Sequence, residues 1–429
     1  MSKIRYLVRH SFFQKLSVYT ISSYINRAIP FLILPVLTNY LSTNEYGEIS
    51  MFLALMNLIM AIFGLSIDGA FMRKYYDSNK YTFSKVSFNY LLLSTTSFSL
   101  CLVLLALFKI PVAKYSGVPI NYIIPSVICA FFTTICYCVN SLYQARGSAS
   151  KYAIFTNGWT LLNASLSIIF VVAVGWGALG RVLGITISAV LFGTIGLFIV
   201  NRTGIKIQFD SDIIKEELSV FGIPSLPMNL RGTILQFTDK LFITNLISLS
   251  AAGIYTVGTQ LSMVVEVFVR SIALAYVPWL YSKMSENKED SNRKIVKLTY
   301  FLVVLIFTVS VLWIIFAKYG IVFFISSEYH EAIAYLFWLV LSQSFLGIQL
   351  LLVSFIYYSK RTKVYAIIST ISIVLNIILN YVLIKEYGPL GAAVATAIVY
   401  CFMLLATAII VFNMYKQFPW LLKKNKDDR

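Results

Sequence analysis

The sequence predicts an all-α polytopic membrane protein with twelve transmembrane helices in two six-helix bundles. Three observations predict this class: an apolar composition, twelve apolar segments of lipid length, and a weak internal repeat. Of the 429 residues, 59% are hydrophobic and 12% are charged, and the mean hydropathy is +0.79. Because soluble domains carry about 25% charged residues, this composition excludes a soluble protein.

Twelve apolar segments have the length that a helix needs to cross a bilayer. The connections between them are short, so no separate soluble domain is expected. The segments cover approximately residues 16–41, 49–68, 87–108, 119–143, 152–174, 182–200, 219–246, 254–281, 299–317, 332–357, 364–384 and 391–413.

The two halves of the sequence resemble each other weakly. Leu-Thr-Asn-Tyr-Leu-Ser at 37–42 leads to Gly47, and Ile-Thr-Asn-Leu-Ile-Ser at 243–248 leads to Gly253, both at an offset of 206. Two further matches follow in the same order, 152–163 with 365–376 and 177–180 with 388–391. Six spans per half give both halves the same orientation, which predicts bundles of residues 1–205 and 206–429 related by a parallel repeat. Such proteins place a substrate site between their halves and work by rocking one half against the other.

The opening spans of the two halves share internal prolines. The first span carries Pro30 and Pro35, and the seventh carries Pro224 and Pro227. Proline removes a helical hydrogen bond and kinks the helix. Either a functional hinge or a kink that only improves packing explains this pattern.

The net charge of +17 does not indicate nucleic-acid binding, because the cations lie mainly on one side of the spans. With the N-terminus inside, the outer loops hold only five of the 35 Lys and Arg residues: Lys109, Lys114, Arg181, Lys318 and Lys385. This positive-inside bias predicts that both termini are cytoplasmic and that the basic ends contact lipid headgroups.

The first apolar stretch is too long for the core of a cleavable signal peptide. No metal site or other cofactor is expected, because the five cysteines fall inside spans and the two histidines are far apart.

Two arginines lie near the middle of lipid-length segments, one in each half. Arg27 and Arg231 are each roughly 18 Å past the basic end of their segment, at about 1.5 Å rise per residue. A midplane arginine costs at least a few kcal/mol unless it faces a cavity or a partner. Neither has an acidic neighbour one helical turn away, whereas Asn26 and Asn229 lie close in sequence. They predict an anion site in an aqueous cavity, or else pairing with a carboxylate on another helix.

Four further charged residues lie inside predicted spans. Glu266 and Arg270 are four residues apart and are expected to pair on one helix. Asp239 and Lys240 are adjacent, so they point about 100° apart, and Lys240 can extend toward the outer interface. We count Lys240 and Arg270 among the substrate-binding candidates. Asp239 and Glu266, with Asp68 at the end of the second span, are the ion-coupling candidates.

At this level of detail the sequence resembles the Wzx-type polysaccharide repeat-unit (O-antigen) flippases of the multidrug/oligosaccharidyl-lipid/polysaccharide exporter superfamily. The resemblance rests on the two six-span halves, Leu-Thr-Asn-Tyr-Leu-Ser-x4-Gly after a proline-containing first span, the 68–73 stretch, Asp239-Lys240, 253–255, and Pro-Trp-Leu-Tyr at 278–281. It implies a MATE-like, V-shaped pair of bundles around a basic cavity in the bacterial inner membrane.

The resemblance also implies the cargo, an undecaprenyl-diphosphate-linked oligosaccharide moved from the inner to the outer leaflet by alternating access. Membrane lipids, a polysaccharide polymerase and a chain-length regulator are the expected partners, and the product is O-antigen or capsule. One alternative is a multidrug antiporter of the same fold, which the net cationic character of the spans disfavours. The other is a membrane glycan polymerase or ligase, which the short outer loops disfavour. The sequence therefore predicts a transporter and not an enzyme.

Overall fold

The structure, a computed structural model, describes residues 18–77, 80–202, 207–286, 288–320, 323–416 and 418–420. The regular structure of this part of the chain consists of helices joined by short connections. In chain order they are α1 (Val18–Tyr40), α2 (Thr43–Phe63), α3 (Ile67–Asp77), α4 (Lys80–Leu107), α5 (Lys109–Ser116), α6 (Ile120–Ala145), α7 (Ala149–Ile168), α8 (Gly177–Asn201), α9 (Ser211–Glu216), α10 (Ile223–Leu246), α11 (Leu249–Ser285), α12 (Glu289–Tyr319), α13 (Ala332–Tyr358), α14 (Thr362–Tyr387) and α15 (Pro389–Met414).

The long helices coincide with the predicted spans. Within the described ranges, eleven helices are long and apolar enough to cross a membrane. The seventh predicted span is α10, a helix of 24 residues that is more polar because it carries Arg231, Asp239 and Lys240. The predicted all-α polytopic membrane fold is confirmed.

One of the predicted breaks at the prolines coincides with an interruption of a helix, and the other does not. Helix α1 is interrupted at Ile33, because Pro35 cannot donate to the carbonyl one turn earlier. At the seventh span the irregularity precedes the prolines: the turn Glu217–Gly222 is π-helical, and the α-helix starts only at Ile223. Proline is tolerated in the first turn of a helix, so Pro224 does not interrupt α10.

Helix α2 begins earlier than the hydrophobic run predicts. The Ser42 side chain accepts from the Glu45 N–H, and the Glu45 carboxylate accepts from the Ser42 N–H at 2.9 Å. This reciprocal cap satisfies two amide groups that the first turn would otherwise leave unbonded. The helix ends at Gly64, so the second span is Thr43–Phe63 and not 49–68.

The chain forms two compact units, residues 1–254 and 255–429. In the first unit, α6 packs against α2, α3 and α8, and α10 packs against α2. A cluster of buried apolar side chains around Phe71, Tyr90 and Leu142 joins α3, α4 and α6. The predicted division at residue 205 rests on sequence repetition and not on compactness, and it stays a prediction.

In the second unit, α13 is the central helix, and α12 and α15 pack on it. It is buried along most of its length, including the polar residue Gln349. Two asparagines of α14 are also fully buried, and the Asn380 side-chain amide donates to the side-chain oxygen Oδ1 of Asn376 at 3.1 Å.

The repeated glycines meet in a reciprocal contact within the first unit. A β-carbon built on Gly47 would lie 2.0 Å from the Leu249 carbonyl oxygen, and one built on Gly253 would lie 2.1 Å from the Thr43 carbonyl oxygen. Thr43 and Leu249 are themselves related by the offset of 206. Equivalent residues therefore exchange equivalent contacts, as across a two-fold axis. The Ser250 hydroxyl donates to the Thr43 hydroxyl oxygen at 2.7 Å, which adds a hydrogen bond to this contact.

Candidate functional site

Helix α10 is held against the first unit at its C-terminal end. Gly117 adopts φ +70°, and a β-carbon there would lie 2.3 Å from the Thr244 side chain. The Asn245 amide donates to the Tyr115 carbonyl oxygen at 3.0 Å. Only glycine permits both the backbone conformation and the close approach at position 117.

The N-terminal end of α10 follows a segment that is held by charges. Three acidic residues of this segment contact basic residues of α3 and α4: Asp210 with Lys85 at 2.7 Å, Glu216 with Lys74 at 2.8 Å, and Glu217 with Arg73 at 3.6 Å. The Asn89 amide donates to the Gln208 carbonyl oxygen and its oxygen accepts from the Asp210 N–H, both at 2.9 Å. The segment 207–217 is therefore bound to the first unit at several points.

Two carboxyl groups of this segment have opposite environments. The hydrogen bond from Lys85 lowers the pKa of Asp210, and the Asp212 N–H adds to the effect, so the group is charged at neutral pH. Burial raises the pKa of Glu217, which is 1% exposed. The hydroxyl of Tyr90, which donates to it at 2.6 Å, and the charge of Arg73 oppose that rise.

Between these two attachments α10 borders a cavity of about 550 Å³. The cavity lies within the first unit and has the size of a typical small-ligand site. It is lined by Asn57, Met60, Ala61, Gly64, Ser66, Asp68, Gly69, Thr134, Tyr137, Gly232, Thr233 and Gln236. The lining combines amides, hydroxyls, one aromatic ring and one carboxylate, and it includes no lysine or arginine.

A strained turn forms part of the cavity wall. Leu65 and Ser66 have φ of +49° and +54°, a conformation that costs a non-glycine residue about 1 kcal/mol or more. The turn ends α2 at Gly64 and starts α3, which places Asp68 in the first turn of α3 at the cavity. Within the described ranges, the Asp68 carboxylate has no ion pair.

The predicted cationic residues of the first unit lie on α1 and α10. Arg27 is exposed, and no hydrogen bond or ion pair joins its guanidinium to another described residue. Arg231 is half-buried and directly precedes the cavity residue Gly232. Lys240 is half-buried, whereas its neighbour Asp239 is buried, with 5% exposure. Asp239 is more buried than Lys240, as expected for adjacent residues that point to different faces of α10.

The two predicted asparagines differ in what the structure shows. The Asn26 amide donates to the Ser22 carbonyl oxygen at 2.7 Å and to the Asn157 side chain at 2.6 Å, and Thr160 contacts its oxygen. Asn26 therefore braces α1 against α7. The side chain of Asn229 lies outside the described residues.

In the second unit the expected pair is present. The Arg270 Nε donates to the Glu266 carboxylate at 2.6 Å across one helical turn of α11. The Arg270 side chain stays 43% exposed, so the guanidinium remains accessible. The roles assigned to all of these residues remain predictions.

Two charged residues of the first unit were not among the predicted site residues. Arg181, which the sequence placed in an outer loop, lies inside α8 and donates to the Asn163 oxygen at 2.7 Å. Glu217 is buried next to Tyr90. Two adjacent glutamates, Glu216 and Glu217, suggest a surface position for both. The sequence does not show that Glu217 is buried and Glu216 is exposed.

The sequence matches the polysaccharide biosynthesis protein family over residues 12–284. The chain belongs to the polysaccharide biosynthesis protein family. Residues 224–382 also match the MatE family. An uncharacterized membrane protein of Haemophilus influenzae is 25% identical over 392 residues, which are 90% of this chain and 91% of that protein.

Solved structures show the same fold for this member of the polysaccharide biosynthesis family. The lipid II flippase MurJ in an inward closed conformation aligns with a TM-score of 0.73 at 17% identity, covering 95% of this chain and 93% of that one. An inward-facing MATE transporter of the MOP superfamily aligns with a TM-score of 0.72 at 14% identity, covering 94% and 98%. The resemblance to this superfamily is confirmed. Both of these solved neighbours are transporters, and at these identities the likeness shows a shared fold.

Proposed function

We propose that the protein is a flippase for undecaprenyl-diphosphate-linked oligosaccharides in surface polysaccharide biosynthesis, O-antigen or capsule. The observation that carries the proposal is the family match over residues 12–284 in a chain that shares its fold with a lipid flippase. Arg27, whose guanidinium forms no ion pair with the residues that the structure describes, agrees with an anionic cargo.

The chemistry of such a cargo explains what the protein must supply. A prenyl diphosphate carries about two negative charges, and its sugars carry many hydroxyl groups that are costly to transfer into hydrocarbon. Arg27 and Arg231 supply guanidinium groups, whose planar donors match phosphate oxygens. Lys240, on the same helix as Arg231, adds to the diphosphate contacts, and the prenyl chain stays in the bilayer during transport.

Export assays in cells test the proposal. Inactivating the gene in its own host should accumulate the lipid-linked oligosaccharide on the inner leaflet and deplete surface polysaccharide, and the wild-type chain should restore both. If surface polysaccharide is unchanged after inactivation, in a host without a second such gene, the flippase proposal is wrong. A polymerase and a chain-length regulator would use the exported units.

The proposed orientation places both termini in the cytoplasm of a bacterium, with the chain in the inner membrane. We expect a cysteine at Glu289, whose side chain is 77% exposed, to react with an impermeant thiol reagent only after the membrane is opened. A cysteine at the exposed Lys109 should react in intact cells. The native cysteines are buried or half-buried, which keeps the background low. Labelling of Glu289→Cys in intact cells would show that the proposed orientation is wrong.

Ion coupling is proposed at Asp239, whose carboxyl group is buried in α10 with 5% exposure. A buried carboxylate can exchange a proton or bind sodium as its surroundings open to water. In vesicles with an imposed proton or sodium gradient, Asp239→Asn should abolish gradient-driven transport and retain substrate binding. The exposed Asp290→Asn is the matched control and should transport normally. If Asp239→Asn transports at the wild-type rate, Asp239 is not the coupling residue, and Asp68 is the next candidate to test.

A small-molecule antiporter is the second candidate function. The MatE match over residues 224–382 and the single carboxylate of the cavity, Asp68, favour it. Expression in a drug-sensitive host separates the two functions, because an antiporter should raise resistance to cationic compounds and a flippase should not.

A further inference from the structure

We propose that the cavity between α2, α3, α6 and α10 is a binding subsite for the uncharged sugar part of the cargo. The inference rests on the proposed flippase function and assigns the sugar and the diphosphate to different groups of residues. In this assignment the cavity lining contacts the sugar nearest to the lipid, and the arginines contact the diphosphate.

The polar side chains that line the cavity offer the hydrogen-bond donors and acceptors that sugar hydroxyls need. Asn57 and Gln236 each offer an amide with donors and an acceptor, and Ser66 and Thr233 offer hydroxyls. Thr134 offers a hydroxyl oxygen as an acceptor, because its hydrogen is donated to the Ala130 carbonyl oxygen at 2.9 Å. Sugar hydroxyls have the same dual character, so such a lining can satisfy several of them at once. Asp68 adds a carboxylate that accepts from hydroxyls, and it repels phosphate oxygens.

An aromatic ring adds an apolar face to this polar wall. Tyr137 lines the cavity and stays 40% exposed although it lies in the middle of α6. The Trp159 ring supports it, with ring centroids 6.1 Å apart. Sugar rings combine polar edges with C–H faces, and the C–H face can lie against an aromatic side chain by dispersion and apolar burial.

Two glycines of the lining have no packing reason to be glycine. Gly69 in α3 and Gly232 in α10 have no atom of the described residues within 4 Å of a built β-carbon, and neither has a positive φ. Glycine inside a helix costs about 1 kcal/mol relative to alanine. At Gly47 and Gly253 a close backbone contact accounts for the residue, whereas at 69 and 232 the β-carbon position opens into the cavity.

The attachments of α10 keep this volume open. The helix is fixed to the first unit through segment 207–217 at one end and through Tyr115–Gly117 at the other. Gly232 lies nine residues past the start of α10, roughly 14 Å along its axis at 1.5 Å per residue. With the proposed topology, the cavity therefore runs from the cytoplasmic interface toward the middle of the membrane, the side from which the cargo arrives.

The test fills the cavity and compares two lipids. The probes are undecaprenyl diphosphate without sugar and the lipid-linked oligosaccharide extracted from cells that cannot export it. Wild-type protein should bind the sugar-bearing lipid at least about tenfold more tightly, a difference of 1.4 kcal/mol. Gly232→Phe should remove this difference and should bind undecaprenyl diphosphate as the wild type does. Gly232→Ala, which leaves most of the volume, and Leu191→Phe on the exposed face of α8 are the controls.

The outcomes separate this inference from the proposed function. If Gly232→Phe folds and still prefers the sugar-bearing lipid tenfold, the sugar subsite is wrong and the flippase proposal stands. If the wild type binds neither lipid, the flippase proposal fails and the subsite fails with it. Should Gly232→Phe fail to fold, Gly69→Leu, which enters the same cavity from α3, replaces it in the comparison.

Discussion

Arg27→Ala and Arg231→Ala are each expected to lower export at least about tenfold, equivalent to 1.4 kcal/mol, while the amount of protein in the membrane stays near normal. The exposed guanidinium of Arg27 has no ion pair with a described residue, so alanine removes a proposed ligand for the diphosphate without leaving a buried charge alone. Export is measured as surface polysaccharide per folded transporter.

The controls separate a binding role from a general need for positive charge. Arg202→Ala removes a cation that lies at the end of α8 and contacts only the Phe198 ring among the described residues, at 4.5 Å, and export should be unchanged. Arg27→Lys keeps the charge but loses the planar donor pair, so export should be partly retained. Loss of protein from the membrane in Arg231→Ala would instead indicate that Arg231 balances a buried carboxylate, since breaking a buried pair costs about 3–5 kcal/mol.

Gly47→Ala and Gly253→Ala should each destabilise the protein by about 1–3 kcal/mol through overpacking. A methyl group at either position meets a backbone carbonyl oxygen at about 2 Å, and a backbone cannot move aside as a side chain can. Alanine is otherwise the better helix former by about 1 kcal/mol, so any loss of stability reports the contact. Thermal unfolding in detergent gives the measurement.

A third glycine supplies the matched control. At Gly158 the nearest atom to a built β-carbon is the edge of the Phe192 ring at 3.2 Å, which can shift. Gly158→Ala should therefore be tolerated. A disulfide between cysteines at Thr43 and Ser250, whose hydroxyls are 2.7 Å apart, should form readily in the wild-type background and poorly in Gly253→Ala. Equal cross-linking in both would show that the helices do not approach as described.

The sequence was sufficient for the spans, because lipid length and apolar composition are local properties. It also identified Gly47 and Gly253 as equivalent, and these residues meet in the structure. The pair between Glu266 and Arg270 followed from helical spacing. Each of these inferences needs only the period of a helix or the comparison of two segments of the chain.

What the sequence could not predict depends on how helices pack. The strained turn places Leu65 and Ser66, and not the adjacent Gly64, at positive φ, which the sequence does not reveal, and so the end of the second span was misplaced. The cavity is lined by residues from four helices, and Gly232 of α10 faces its open space. The burial of Glu217 likewise depends on Tyr90, which is 127 residues away in the chain.

The reciprocal glycine contact bears on how such a protein arises. In a two-fold contact each participant carries both surfaces, the glycine and the carbonyl that it admits. The stretch from Thr43 to Gly47 contains both, and so does the stretch from Leu249 to Gly253. An ancestral polypeptide with a single copy of this stretch could therefore form the contact with another identical molecule. Gene duplication and fusion would then turn a homodimer interface into an internal one without inventing a new surface.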